Sequence, residues 1–286
     1  MSTRRTLPFV KMHGAGNDYV FVDCFRHRVS NPARLARLIS DRHFGVGGDG
    51  LILILPCRNA DLRMRIFNAD GSEAEMCGNG IRCVAKYAYD HGLTHKRVMT
   101  IATGAGIKTI RIVTARGKVV RATVDMGVPA LRRRDIPMTG DPESNAIAVA
   151  LPVGNDKYEV TCVAMGNPHC VIFIKDDPSE FPLEWIGPQI ECHPAFPKRT
   201  NVHIVQRLSE SEVRMRTWER GSGITLACGT GASAVCVAGA LTGRTGRSIL
   251  AHLPGGDLRI EWRADGHVFM TGPAVESFTG LWPLRR

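Results

Sequence analysis

The sequence predicts an α+β protein of two similar lobes, and three observations carry that expectation. A segment repeats at a fixed offset, apolar runs of strand length dominate both halves, and a helix-patterned run follows a C-G-x-G loop in each half. The repeat is the strongest of the three. RMRIFNADGSEAEMCGNG from Arg63 aligns without a gap on RMRTWERGSGITLACGTG from Arg214, an offset of 151 residues that sets Cys77 against Cys228 and Gly80 against Gly231. Asn17 and Asn167, each preceded by glycine, keep almost the same step of 150.

Strand-length apolar runs at 19–22, 51–55 and 170–174 suit buried strands, and residues 111–124 alternate around Arg116-Gly117-Lys118 like a hairpin. Helical spacing predicts helices over IRCVAKYAYD, residues 81–90, and ASAVCVAGAL, residues 232–241. The second is apolar on nearly all sides, as a helix enclosed by its own lobe would be. Gly92 and Gly243 stand where each helix should stop. Turn-rich residues 125–141 mark the boundary, so the first lobe is expected over 1–127, joined by the C-terminal 275–286, and the second over 128–274.

Composition excludes several classes. With 44% hydrophobic and 22% charged residues and no low-complexity tract, the chain is expected to fold rather than stay disordered. No apolar window reaches membrane-span length and the first residues lack a signal-peptide core, which predicts a cytoplasmic protein without membrane association. Nine cysteines without paired C-x-x-C spacing argue against a disulfide framework and against a metal site. The net charge of +10 invites nucleic acid, but its clusters are short, Arg132–Arg134 and Arg285–Arg286, and no aromatic stripe accompanies them. It reads as a solvated basic surface.

The two cysteines point to proton chemistry. Each C-G-x-G precedes a helix, so the free amides of the first turn favour an anion there, either a thiolate or a substrate carboxylate. Such a position is expected to lower a thiol pKa toward neutrality. Twofold-related loops would set one sulfur on each side of a bound molecule, and two opposed acid/base groups suit inversion at a carbon. The bland alternative, two small buried residues among nine, does not account for matched placement. Cys24, Cys57, Cys83, Cys162, Cys170, Cys192 and Cys236 lack such symmetry and are expected to be packing residues.

Four ordered motifs, MHGAGND at Met12, FNADGSEAEMCGNGIRC at Phe67, MGNPH at Met165 and ERGSGITLACGTGA at Glu219, resemble those of diaminopimelate epimerases across nearly the whole chain. The resemblance implies a cofactor-independent isomerase that interconverts LL- and meso-diaminopimelate for lysine and cell-wall synthesis. It also implies two lobes, each a mostly antiparallel sheet wrapped around a central helix, and a homodimer. Carried over by motif, Cys77 and Cys228 are the acid/base pair, and Gly78, Asn79, Gly229 and Thr230 cradle the reacting carboxylate. Asn17, Asn68, Asn167, Asn201, Glu219 and Arg220 look like substrate contacts, and His169 with Glu219 resembles the groups that tune the thiols. His169 can also be an ordinary structural histidine, and Asn17 and Asn68 ordinary turn residues.

Three positions depart from the family pattern. Gly50 stands where many members have glutamine, Ile224 where glutamate is common, and Phe278 where some have a tyrosine at the dimer contact. Two other readings stay open on the sequence: a two-cysteine racemase for another amino acid such as proline, and a thiol-metal or nucleic-acid binder.

Overall fold

The computed structural model describes residues 6–284, so Arg285, Arg286 and the first five residues lie outside the described residues. Two compact units emerge, Met1–Val124 with Gly272–Arg286, and Asp125–Thr271. In the first, Thr6–Gly14 pairs antiparallel with both Val275–Pro283 and Asn17–Asp23. Asn17–Asp23 runs parallel to Gly50–Leu55, which pairs antiparallel with Leu62–Asn68. Val98–Thr103, Gly106–Ala115 and Lys118–Gly127 continue as a meander, turning at Arg116 and Gly117, which both have positive φ.

The second unit repeats this order. Asp156–Ala164 pairs antiparallel with Pro168–Ile174, which runs parallel to Asn201–Arg207, and that strand pairs antiparallel with Glu212–Glu219. Ser248–Leu253, Gly256–Trp262 and Val268–Gly272 form its meander.

Four helices lie in the described residues: α1 (Pro32–Ile39), α2 (Gly78–Asp90), α3 (Leu183–Glu191) and α4 (Gly229–Leu241). Asn31 caps α1 by accepting from the Arg34 amide, and Pro32 supplies a helical φ at its first position. Its face of Leu35, Ala36 and Ile39 closes the first unit's core on Leu51, Leu53 and Phe67.

The central helices behave as the α+β expectation requires. Helix α2 touches Thr6–Gly14, Asn17–Asp23 and Gly106–Ala115, so the sheet curls around it, and α4 touches five strands of its own unit. Ten of the thirteen residues of each are buried. Val84, Val235 and Val237 are fully enclosed, each contributing roughly 1.5–3 kcal/mol through burial. Both helices start three residues before the apolar periodicity does, because the glycines of the cysteine loops already form the first turn. They end before Gly92 and Gly243, whose φ of 74° and 66° lets the chain turn away.

Candidate active site

Cys77 is the N-cap of α2. Its extended backbone turns the sulfur back over the helix mouth, where Sγ accepts from the Gly80 amide at 3.3 Å. Gly78 and Asn79 precede the first intrahelical bond, from Ile81 N to Cys77 O at 2.9 Å, so their amides point out of the mouth. Asn17 Oδ1 lies 3.2 Å from the sulfur and accepts its proton when it carries one. The other end of that amide donates from Nδ2 to Asp49 at 2.7 Å. Asp49 is paired with Arg42 at 2.9 Å, and Arg42 with Asp18 at 2.8 Å, so an ion network behind the site fixes which way Asn17 points. The Tyr19 hydroxyl also reaches Asn17 and Cys77. Burial, reinforced by Cys77 and Asp49, pushes the phenol far up, so it acts as a neutral donor. Asn68 donates to Ser72 Oγ at 3.0 Å, which leaves its carbonyl oxygen available.

Cys228 is likewise the N-cap of α4 in an extended conformation, but unlike Cys77 it forms no side-chain capping hydrogen bond; the Thr230 hydroxyl lies 3.6 Å from its sulfur, and the Gly231 amide favours its anion. Its titration departs from the expected drop toward neutrality. Burial pushes the Cys228 thiol well above the usual range, and the neighbouring Glu219 carboxylate pushes it further, overcoming the helix-end amides. Its surroundings therefore favour the protonated thiol. Glu219 itself is oriented by Thr225, whose hydroxyl donates to it at 2.6 Å.

Replacing Glu219 by Gln removes the anion beside Cys228, so the pKa of that thiol should fall. In a Cys77→Ala background, the pH midpoint for alkylation of the Cys228 peptide, followed by mass spectrometry, should move down. An unchanged midpoint would show that burial alone holds the proton.

The remaining expected residues lie around the second mouth. Asn167 Oδ1 is 2.8 Å from His169 Nε2, and His169 Nδ1 is 2.9 Å from His203 Nε2. Asn201 donates to Pro168 O at 2.7 Å and accepts from Arg220 N at 2.9 Å. It clamps the M-G-N-P-H loop to the E-R-G loop, with one N–H and one lone pair left over. The exposed Arg220 guanidinium donates to Lys198 O at 2.9 Å.

Glu191 at the end of α3 holds this turn from behind, accepting from Trp218 Nε1 at 2.7 Å and Gly221 N at 3.0 Å. Nothing in the sequence marked Glu191, since its partners lie 27 and 30 residues away.

Positions related by the 151-residue offset do the same mechanical work with opposite electrostatics. Arg82 Nη1 donates to Gly78 O at 3.2 Å, and Ser233 Oγ donates to Gly229 O at 2.9 Å. Each thus steadies the first turn of its helix. Arg82, fully buried, brings a guanidinium whose field reaches Cys77, whereas Cys228 has neutral Ser233 and anionic Glu219. The two mouths are matched in shape and differ in charge.

The departures have structural reasons. Gly50 is the positional twin of Asn201, but a Cβ there would sit 2.1 Å from Phe67 O, so this backbone admits no side chain at 50. Ile224 is exposed and pairs with Trp218 at the rim of the second loop. Phe278 is half exposed and packs edge-on against Phe9 at 6.1 Å. Among the described residues no group of three or more His, Cys, Asp or Glu side chains is placed to hold a metal ion.

The sequence profile of the family described as diaminopimelate epimerase matches residues 9–131 and 161–276. The chain belongs to the diaminopimelate epimerase family. A member from Desulfovibrio desulfuricans is 54% identical over 280 residues, covering 96% of this chain and 97% of that protein. One from Pelotomaculum thermopropionicum is 52% identical, covering 97% and 99%. Among solved structures, a hydroxyproline epimerase from Agrobacterium vitis superposes with a TM-score of 0.69 at 15% identity, covering 99% of this chain and 95% of that one. A phenazine biosynthesis protein of the PhzF family from Bacillus anthracis gives 0.68 at 16%, covering 98% and 100%. These likenesses show that the family's fold is shared with proteins of other names.

Proposed function

We propose that this protein interconverts LL- and meso-diaminopimelate by moving the α-proton between Cys77 and Cys228, without a cofactor. The observation that carries the reading is the paired cysteine N-caps, alike in backbone conformation and unlike in charge, in a chain of this family. Cys228 enters as a thiol and is the donor, so in that direction Cys77 is the base. The α-proton passes to the Cys77 sulfur, and the Cys228 proton passes to the carbanion. One base alone would return the proton to the face it left, whereas two sulfurs invert the carbon. The roles exchange for the other stereoisomer.

Gly78, Asn79, Gly229 and Thr230 receive the reacting carboxylate, while Asn17, Asn68, Asn167, Asn201, Glu219 and Arg220 bind the substrate's remaining polar groups. A substrate with charges at both ends meets this set, and one without them leaves polar groups unpaired. Glu219 and His169 tune the thiols, Glu219 by its charge and His169 through Asn167. A cytoplasmic homodimer belongs to the same reading. It is supported by half-exposed Phe278 and exposed Leu281 on the last strand, and no helix of the described residues is long and apolar enough to cross a membrane.

Turnover in deuterated water tests the proposal. The inverted diaminopimelate should carry deuterium at the inverted α-carbon, because thiol protons exchange with solvent. An inverted product without label, or equal turnover of proline, would overturn it.

A further inference from the structure

Packing does not account for the buried polar pair His203 and Thr217. Their twins at the 151-residue offset are Ile52 and Ile66, equally buried. His203 and Ile52 do the same steric work beneath the turn that follows each cysteine. A Cβ added to Gly231 would meet His203 Cε1 at 2.2 Å, and one added to Gly80 would meet Ile52 Cδ1 at 2.6 Å. An apolar side chain is therefore enough to seat the turn. What isoleucine cannot do is hydrogen-bond.

The bonds of His203 form a directed chain. His169 Nε2 lies 2.8 Å from Asn167 Oδ1, which can only accept, so that nitrogen carries the proton. His169 is neutral in its buried setting, so its Nδ1 accepts, and the proton of that 2.9 Å bond sits on His203 Nε2. His203, also neutral, then accepts at Nδ1 from the Thr217 hydroxyl at 3.0 Å. Each link is determined by the one before it. The terminal effect is on Asn167, whose oxygen is engaged and whose NH₂ is left to donate.

The first unit does the reverse. Asp49 can only accept, so Asn17 turns its nitrogen away toward it and presents oxygen to Cys77. We propose that His203, backed by Thr217, is a positioning residue that acts through His169 to hold Asn167 with its amide NH₂ toward the substrate, opposite in polarity to Asn17. The proposal rests on the functional reading above, since Asn167 is there a substrate contact. It adds that the two asparagines are not interchangeable: one presents an acceptor, the other a donor suited to a carboxylate oxygen. An acceptor in both places would leave one substrate carboxylate facing a carbonyl oxygen.

The test separates the hydroxyl from the shape around it. Thr217→Ser keeps the donor and Thr217→Val removes it, while His203→Ile installs the residue found at position 52. With diaminopimelate, Thr217→Ser should keep kcat/KM near wild type. Thr217→Val and His203→Ile should lose on the order of 10- to 100-fold, mainly through KM, as expected of a misaligned binding group.

Imidazole nitrogen NMR of the wild-type chain supplies an activity-independent readout, with His169 and His203 both expected as Nε2–H tautomers. Nδ1–H tautomers at both rings, or wild-type kcat/KM in Thr217→Val, would overturn the relay. Should Thr217→Val fail to fold, the wild-type tautomers decide. Should the wild-type chain not turn over diaminopimelate, the functional reading falls while the tautomers still judge the relay.

Discussion

Alanine at either Cys77 or Cys228 is expected to reduce epimerisation by at least about 10²- to 10⁴-fold, the range for losing one positioned acid or base. On the proposed mechanism the two sulfurs serve a single proton transfer sequence, so the losses should not add in the double variant. Folding should survive. Cys77 is only partly buried, and Cys228, though buried, is small and followed by a helix enclosed on all sides. Epimerisation kinetics of both single variants and the double variant, with circular dichroism as a control on folding, check this. Wild-type turnover in either single variant would defeat the two-thiol scheme.

Acid should destabilise the protein before its carboxylates titrate. Burial holds His203 down to about 3, and His169 well below 6.5 through burial and the neighbouring His203 and Arg220. In the unfolded chain both titrate near 6.5, so below that pH the unfolded state binds protons that the native state refuses. The depressed native values give stability that is present above pH 6.5 and lost progressively as pH falls toward 3. Each histidine contributes a slope of about 1.4 kcal/mol per pH unit, so the pair should approach about 2.7. Urea unfolding between pH 7 and 5 measures it, and His203→Ile should remove about half of the slope. A flat profile over that range would contradict two buried neutral histidines.

The family, the α+β fold and the matched placement of Cys77 and Cys228 at helix starts were legible because each rests on local pattern: glycines at turns, apolar spacing and a repeat at constant offset. Other features involve partners distant in sequence. Arg82 and Ser233 share a role but not a chemistry, so aligning the halves makes them look unrelated until both are seen bonding the first carbonyl of a helix. His203 was one residue within an apolar strand, and only His169 on one side and Thr217 on the other give it meaning.

The thiol expectation went astray at Cys228 for a related reason. Position at a helix mouth can be read from sequence, but full burial beside a carboxylate cannot. At Gly50 the letters suggested a lost contact, whereas the cause is the carbonyl of Phe67 lying where a side chain would begin.

The pairing of Thr6–Gly14 with Val275–Pro283 bears on how the protein is made. A ribosome delivers Thr6–Gly14 before all of the second unit and Val275–Pro283 only after it. The second unit, continuous over Asp125–Thr271, can complete its sheet while the first still exposes an unpaired strand edge. The half that is begun first is therefore the half that is finished last. Until Val275–Pro283 is made, the nascent chain carries an open edge whose partner has not yet been translated.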